Sequence, residues 1–226
     1  MSTPLISIIL LAGGQGLRMN NPVPKQFLSL MNKPIALHSF ELFASFPNVL
    51  EIIVVCDPIY RSLFPSLASP SILYASPGQR RQDSVFNGLN LVSDKAHLLC
   101  IHDSARPLLF RKDLENVISE AAVHGAAVLG VPVKPTIKQI DEEGFVIKTL
   151  ERSSLWEVQT PQVMTPSLLK KGFQLAAHKD CVVTDDVSLV ELAGHPVKIV
   201  QGSYQNLKIT TSEDLALAEM LLSQCR

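Results

Sequence analysis

The chain predicts an α/β fold, a Rossmann-like three-layer α/β/α sandwich with a mostly parallel sheet and a projecting β-hairpin arm. Three observations carry that prediction. Short apolar, β-rich runs alternate with stretches of helical spacing, the pattern of strands joined by covering helices. Glycines, bases and acids gather just after the apolar runs, where open parallel sheets place their ligands. One pair of alternating segments interrupts the series and reads as a hairpin. The 226 residues, 46% hydrophobic and 18% charged, suffice for a core without disulfides or metals. They read as one domain over 1–226, with the arm at about 134–159.

Residues 5–11 form the first predicted strand, an unbroken apolar run suited to burial on both faces. A helix follows over 35–46, with Pro34 at its first position and Pro47 stopping it. Residues 50–56 and 97–102 read as strands, 82–91 and 113–123 as helices, and 126–131 as a further strand. Residues 135–140 and 145–150 alternate around Asp141-Glu142-Glu143-Gly144, a hairpin with a four-residue turn. An exposed hairpin carrying Ile137, Ile140, Phe145, Val146 and Ile147 needs a cover. A second copy of the chain and a fold-back onto its own sheet both satisfy that need.

Net charge is −1, which provides no global field for nucleic acid or an anionic membrane. No apolar run reaches the roughly 20 residues of a membrane span. The start, Met1-Ser2-Thr3-Pro4, lacks the basic region of a signal peptide. The four cysteines, Cys56, Cys100, Cys181 and Cys225, show no metal-ligand spacing and demand no oxidising compartment. A cytoplasmic protein is expected.

The first strand runs into Ala12-Gly13-Gly14-Gln15-Gly16-Leu17-Arg18-Met19, then Pro24-Lys25-Gln26. No acid precedes Glu41, whereas Arg18, Lys25 and Lys33 do. Glycines let backbone N–H groups turn toward a polyphosphate, and Arg18 and Lys25 add charge. The spacing is not the dinucleotide motif, which needs glycine where Met19 stands. It is not a Walker A loop either, which needs Gly-Lys-Ser/Thr. The glycines alone leave an ordinary turn open. Asp103, at the end of an apolar strand, suits a Mg²⁺-orienting carboxylate or a turn cap. Lys208 alone reads as a strand lysine reaching for solvent. Arg80 and Arg81 are ambiguous. Thr184-Asp185-Asp186 reads as a helix start, with Thr184 capping and the acids complementing the dipole. His102 reads as packed or hydrogen-bonded rather than catalytic.

Leu11-Ala12-Gly13-Gly14-x-Gly16-x-Arg18-Met19 with Pro24-Lys25-Gln26 resembles the signature of sugar-activating nucleotidyltransferases. Within them the chain most resembles the 2-C-methyl-D-erythritol 4-phosphate cytidylyltransferase family of the non-mevalonate isoprenoid pathway. The likeness runs on through Gly78-Gln79-Arg80-Arg81-Gln82-Asp83-Ser84-Val85 and His102-Asp103-Ser104-Ala105-Arg106-Pro107. It continues in Thr160-Pro161-Gln162-Val163, Thr184-Asp185-Asp186 and Asn206-Leu207-Lys208-Ile209-Thr210. The resemblance implies that Ala12, Gly13, Gly14, Gly16 and Arg18 wrap the triphosphate of CTP, and that Lys25 and Lys208 flank its α-phosphate. It implies that Ala12, Gly78, Gln79 and Ser84 read cytosine, and that Asp103, Ser104 and Arg106 line the acceptor side. Ser104 stands where the family often has Ala or Gly. Thr136 and Arg152 are implied to hold the acceptor phosphate, Arg152 from the neighbouring subunit of a homodimer. Mg²⁺ is the implied cofactor. Ribitol 5-phosphate is the rival acceptor, and a nucleotide-binding module without turnover is the rival of another class. A dehydrogenase is disfavoured by Met19.

Overall fold

A computed structural model describes residues 3–14, 22–179 and 183–224. Its elements, in chain order, are β1 (Ile6–Leu11), β2 (Ser29–Leu30), β3 (Lys33–Pro34), α1 (Ile35–Ala44), β4 (Val49–Val55), β5 (Ser71–Ala75) and α2 (Arg81–Leu89). They continue with β6 (Leu98–Asp103), α3 (Arg111–His124), β7 (Ala126–Pro132), β8 (Lys138–Ile140), β9 (Val146–Thr149) and β10 (Trp156–Met164). The last are α4 (Pro166–Lys179), α5 (Asp186–Leu192), β11 (Lys198–Gln201) and α6 (Ser212–Gln224).

Seven strands form the main sheet in the order β11-β7-β10-β6-β1-β4-β5. β1 pairs in parallel with β4 and β6, β4 with β5, and β7 with β11; β10 alone runs antiparallel, against both β6 and β7. Side chains of β1 alternate between two apolar layers. Ile6, Ile8 and Leu10 pack with Phe40 and Phe43 of α1 and with Leu114, Val117 and Ile118 of α3. Ile9 packs on the opposite face with Val85 and Leu89 of α2, Leu169 of α4 and Val187 of α5. Burial on both faces explains why these strands read as continuous apolar runs. The Rossmann-like α/β class holds.

Apart from the run holding Lys208, every predicted strand and helix is present with shifted ends. Pro34 stands just before α1, as its N-cap, and the helix ends at Ala44, ahead of Pro47. β5, β10 and β11 lack the apolar signal. β5 and β11 are short edge strands, and β10 buries Gln159, Thr160 and Gln162. Because β10 begins at Trp156, residues 156–159 of the expected arm belong to the main sheet. The hairpin itself forms, with β8 paired to β9 in a separate two-stranded sheet. The segment holding Lys208 is not a strand. It is an extended loop tied down where the Ile209 N–H donates to Ala105 O at 2.9 Å.

Candidate active site

The chain runs from β1 to one side of the sheet, through β4, and later returns on the other side as β6. A crevice opens beyond the carboxyl ends of strands at such a switch point. Here it holds a cleft of about 890 Å³. The segment after β1 supplies Gly13 and Gly14, the turn after β5 supplies Gly78 and Gln79, and the end of β6 supplies Asp103 and Ser104. Ser84, Lys25 and Lys208 complete the lining that the sequence anticipates. Gly16 and Arg18 lie outside the described residues.

The glycine segment is shaped by close packing. A Cβ on Gly13 would stand 2.4 Å from Pro77 Cβ, and one on Gly78 would stand 2.3 Å from Asp83 Cβ. Gln26, 2% exposed, donates from Nε2 to Ala12 O at 2.7 Å and to Gly14 O at 2.9 Å. The glutamine after Lys25 thus pins the loop, and its burial fixes where the lysine stem starts. Lys33 lies elsewhere, paired with Glu41. Ser84 Oγ accepts the Gly78 N–H at 2.9 Å and donates to Arg80 O at 3.4 Å. Its hydroxyl therefore organises the turn that carries Gly78 and Gln79.

Asp103 lies at the junction of four elements. Its N–H donates to Thr160 Oγ1 at 3.1 Å. Its Oδ1 accepts Arg81 Nε at 3.2 Å, and its Oδ2 accepts Lys208 Nζ at 2.6 Å. Burial alone would raise the carboxyl, but the Arg81 guanidinium and the Lys208 ammonium outweigh it and hold the group well below the carboxylate range. Asp103 is therefore anionic at any working pH. Ser104, beside it, donates from its N–H and from Oγ to Leu11 O, at 3.0 and 2.7 Å. Its hydroxyl thereby joins the ends of β1 and β6.

Arg106 does not line the cleft. Its Nη1 donates to Asn206 O at 2.6 Å, bracing the loop that carries Lys208. Thr136 and Arg152 are exposed on and beside the hairpin, and Arg152 Nη1 donates to Lys134 O at 2.9 Å. Neither reaches the cleft of its own chain. The expected cap of α5 also changes. Asp185, not Thr184, accepts the Ser188 N–H.

Two residues of this charge network went unrecognised in the sequence, half-buried Arg81 and buried Asp186. Arg81 extends its fork to Asp186, with Nη1 and Nη2 each 2.8 Å from a carboxylate oxygen. Burial would discharge Arg81, but Asp186 and Asp103 hold its proton more tightly than in water. A signal existed: on α2, Arg81 shares a helix face with Ser84, Val85 and Gly88, all buried. Asp186 offered no such signal, since an acid in a first helical turn has an ordinary explanation.

Among the described residues no cluster of three or more His, Cys, Asp or Glu side chains is placed to hold a metal. Among the described residues, the acidic side chain lining the cleft is Asp103. One ionised carboxylate suits Mg²⁺, which draws its other ligands from substrate phosphates and water.

The sequence model of 2-C-methyl-D-erythritol 4-phosphate cytidylyltransferase matches residues 6–224. The chain belongs to that family. The cytidylyltransferase of rice, named as chloroplastic, is 52% identical over 97% of this chain and 75% of its own length. That of Desulforamulus reducens is 41% identical over 97% of this chain and 96% of its own. The crystal structure of 4-diphosphocytidyl-2C-methyl-D-erythritol synthase from Anaerococcus prevotii superposes with a TM-score of 0.87 at 26% identity, covering 98% of this chain and 100% of that one. Like those relatives, the chain is a nucleotidyltransferase. No helix among its described residues is long and apolar enough to cross a membrane.

Proposed function

We propose that the chain transfers CMP from CTP to 2-C-methyl-D-erythritol 4-phosphate, giving 4-diphosphocytidyl-2-C-methyl-D-erythritol and pyrophosphate for isoprenoid precursors. The observation that carries the reading is the convergence of Lys25, Lys208, the two glycine segments and Asp103 on one cleft. A phosphate oxygen of the acceptor attacks the α-phosphorus of CTP in line, and pyrophosphate leaves. Lys25, Lys208 and Arg18 share the charge that grows on the phosphoryl oxygens. Such a reaction rests on positioning and electrostatics and needs no covalent nucleophile.

Cytosine is read at the turn of Gly78 and Gln79, which Ser84 holds, and beside Ala12. Its exocyclic amine is the donor that uracil lacks, and a buried acceptor left unpaired penalises the wrong base. Mg²⁺, with Asp103 as its carboxylate, supplies charge neutralisation at the phosphates when bound. Asp103 and Ser104 form the acceptor side, and Arg106 braces the loop of Lys208 beside it. Thr136 and Arg152 complete it from a second copy in a homodimer. That reading is supported by their distance from their own cleft and by the exposed apolar hairpin. The enzyme acts in the cytoplasm, without nucleic acid or membrane as partner, in keeping with its net charge of −1 and its free, buried Cys56 and Cys100.

The test is pyrophosphate release from Mg·CTP with methylerythritol phosphate and ribitol phosphate supplied in parallel. Release with the first alone is expected. Release with ribitol phosphate alone overturns the acceptor, and CTP binding without release from either overturns catalysis. In the same assay Lys25→Ala should lose roughly 10²–10³-fold in kcat, about 3–4 kcal/mol of barrier. Near-normal turnover would remove Lys25 from the mechanism.

A further inference from the structure

Asp186 lies on the far side of Arg81 from the cleft, 1% exposed at the first turn of α5. Its carboxylate takes both terminal nitrogens of the Arg81 guanidinium at 2.8 Å, leaving the Nε edge for Asp103 Oδ1 at 3.2 Å. The fork is planar and rigid, so the edge held by Asp186 sets the direction of the edge offered to Asp103. Asp186 is itself immobilised: its N–H and that of Val187 donate to Gln162 Oε1 at 2.8 and 2.9 Å. Gln162 pairs with Ile101, two residues before Asp103 on the neighbouring strand. A frame of β10, α5 and α2 therefore closes around one carboxylate.

Arg81 and Lys208 both reach Asp103. Without Asp186, Arg81 would have Asp103 as its one carboxylate in this network and would be free to turn its stronger, two-nitrogen edge onto it beside Lys208. Asp103 would then be clamped and displaced from the cleft.

We propose that Asp186 is a positioning residue for the transfer reaction, acting through Arg81 to aim the Asp103 carboxylate into the cleft and to limit how much cationic charge it carries. The inference rests on the reading of the cleft as the site of transfer. A purely structural ion pair would stabilise the fold and leave turnover alone, and kinetics separate the two. Pyrophosphate release and thermal melting are measured on the full chain for wild type, Asp186→Asn, Arg81→Gln and the double variant. Asp186→Asn should lower kcat about tenfold while KM for CTP moves less than about twofold. The double variant should be no slower than Arg81→Gln alone, because the effect of Asp186 passes through Arg81. A lowered melting temperature with wild-type kcat overturns the proposal, as do losses that multiply in the double variant.

Should Asp186→Asn not fold, Asp186→Glu carries the test. It keeps the charge and moves the fork by one methylene, so kcat should fall in a chain that still folds; wild-type kcat overturns the proposal. A wild-type chain that binds CTP but releases no pyrophosphate sinks the reading of the site, and this inference with it. A working wild type beside an equally fast Asp186→Asn sinks the inference alone.

Discussion

His102 precedes Asp103 on β6 and is wholly buried, with its ring edge-on to Phe43. Its Nε2 lies 3.1 Å from Arg106 O, a carbonyl that only accepts, so Nε2 carries the proton. Its Nδ1 then accepts from Thr160 Oγ1 at 3.1 Å, while that hydroxyl receives the Asp103 N–H. One neutral imidazole thereby holds both ends of the turn that presents Asp103 and Arg106. Burial pushes its pKa down to about 4. The unfolded chain binds this proton near pH 6.5 and the folded chain near 4, so stability falls as pH drops between those values. The loss should reach about 3 kcal/mol. Denaturant unfolding across pH 4–6.5 should show that slope, and His102→Gln should flatten it; an unchanged slope would place the proton uptake elsewhere. Asp103, whose pKa is depressed, contributes only below this window, near pH 4 and under. The motif carrying His102 and Asp103 is legible in the sequence, but the tautomer is not, because it depends on Thr160, 58 residues away.

At the scale of elements, two glutamines do what backbone pairing cannot. Gln26 joins a one-turn helix to the glycine segment, and Gln162 joins β10 to the start of α5. With seven residues, α5 is too short to stand by its own propensity. Gln162→Leu leaves the N–H groups of Asp186 and Val187 buried without an acceptor, and removes the donor that reaches Asp185 at 3.2 Å. The expected cost is about 2–4 kcal/mol in denaturant unfolding at pH 7. A change below about 0.5 kcal/mol would show that α5 re-forms its start unaided. Neither glutamine announces itself, since Gln is ordinarily a surface residue. What hid β10 is the same fact: its buried face is polar and satisfied by hydrogen bonds rather than by apolar contact.

For the whole molecule the hairpin is an exposed apolar surface that needs a cover. Phe145 is 68% exposed, and Ile140, Val146 and Ile147 are exposed beside it on β8, β9 and the turn between them. A two-stranded sheet alone is marginal in water. The base of the arm is fixed where Tyr204 donates to Pro132 O at 2.6 Å and Lys134 caps the Tyr204 ring at 3.5 Å. A fixed base with an apolar, uncovered tip suits insertion against a second copy. Phe145→Glu with Ile147→Glu should yield a monomer by sedimentation. CTP binding should stay within about twofold, and acceptor-dependent turnover should fall at least tenfold as the partner's contribution is lost. A wild-type chain that sediments as a fully active monomer would overturn the shared site.

The sequence by itself determined the α/β class, the placement of chemistry after the apolar strands, the hairpin, and the family through several ordered motifs. These are properties of periodicity and local residue type, and both are written along the chain. Only the tertiary structure decided that Arg81 is a half-buried fork held between two carboxylates rather than a solvated base. It also decided that Asp186 holds it, that Arg106 faces the loop of Asn206 and not the cleft, and that Lys208 rests on Asp103. Each of those outcomes depends on charges and hydrogen-bond partners from distant segments meeting at one partly buried junction. Their energies depend on burial and mutual geometry, which no local pattern encodes.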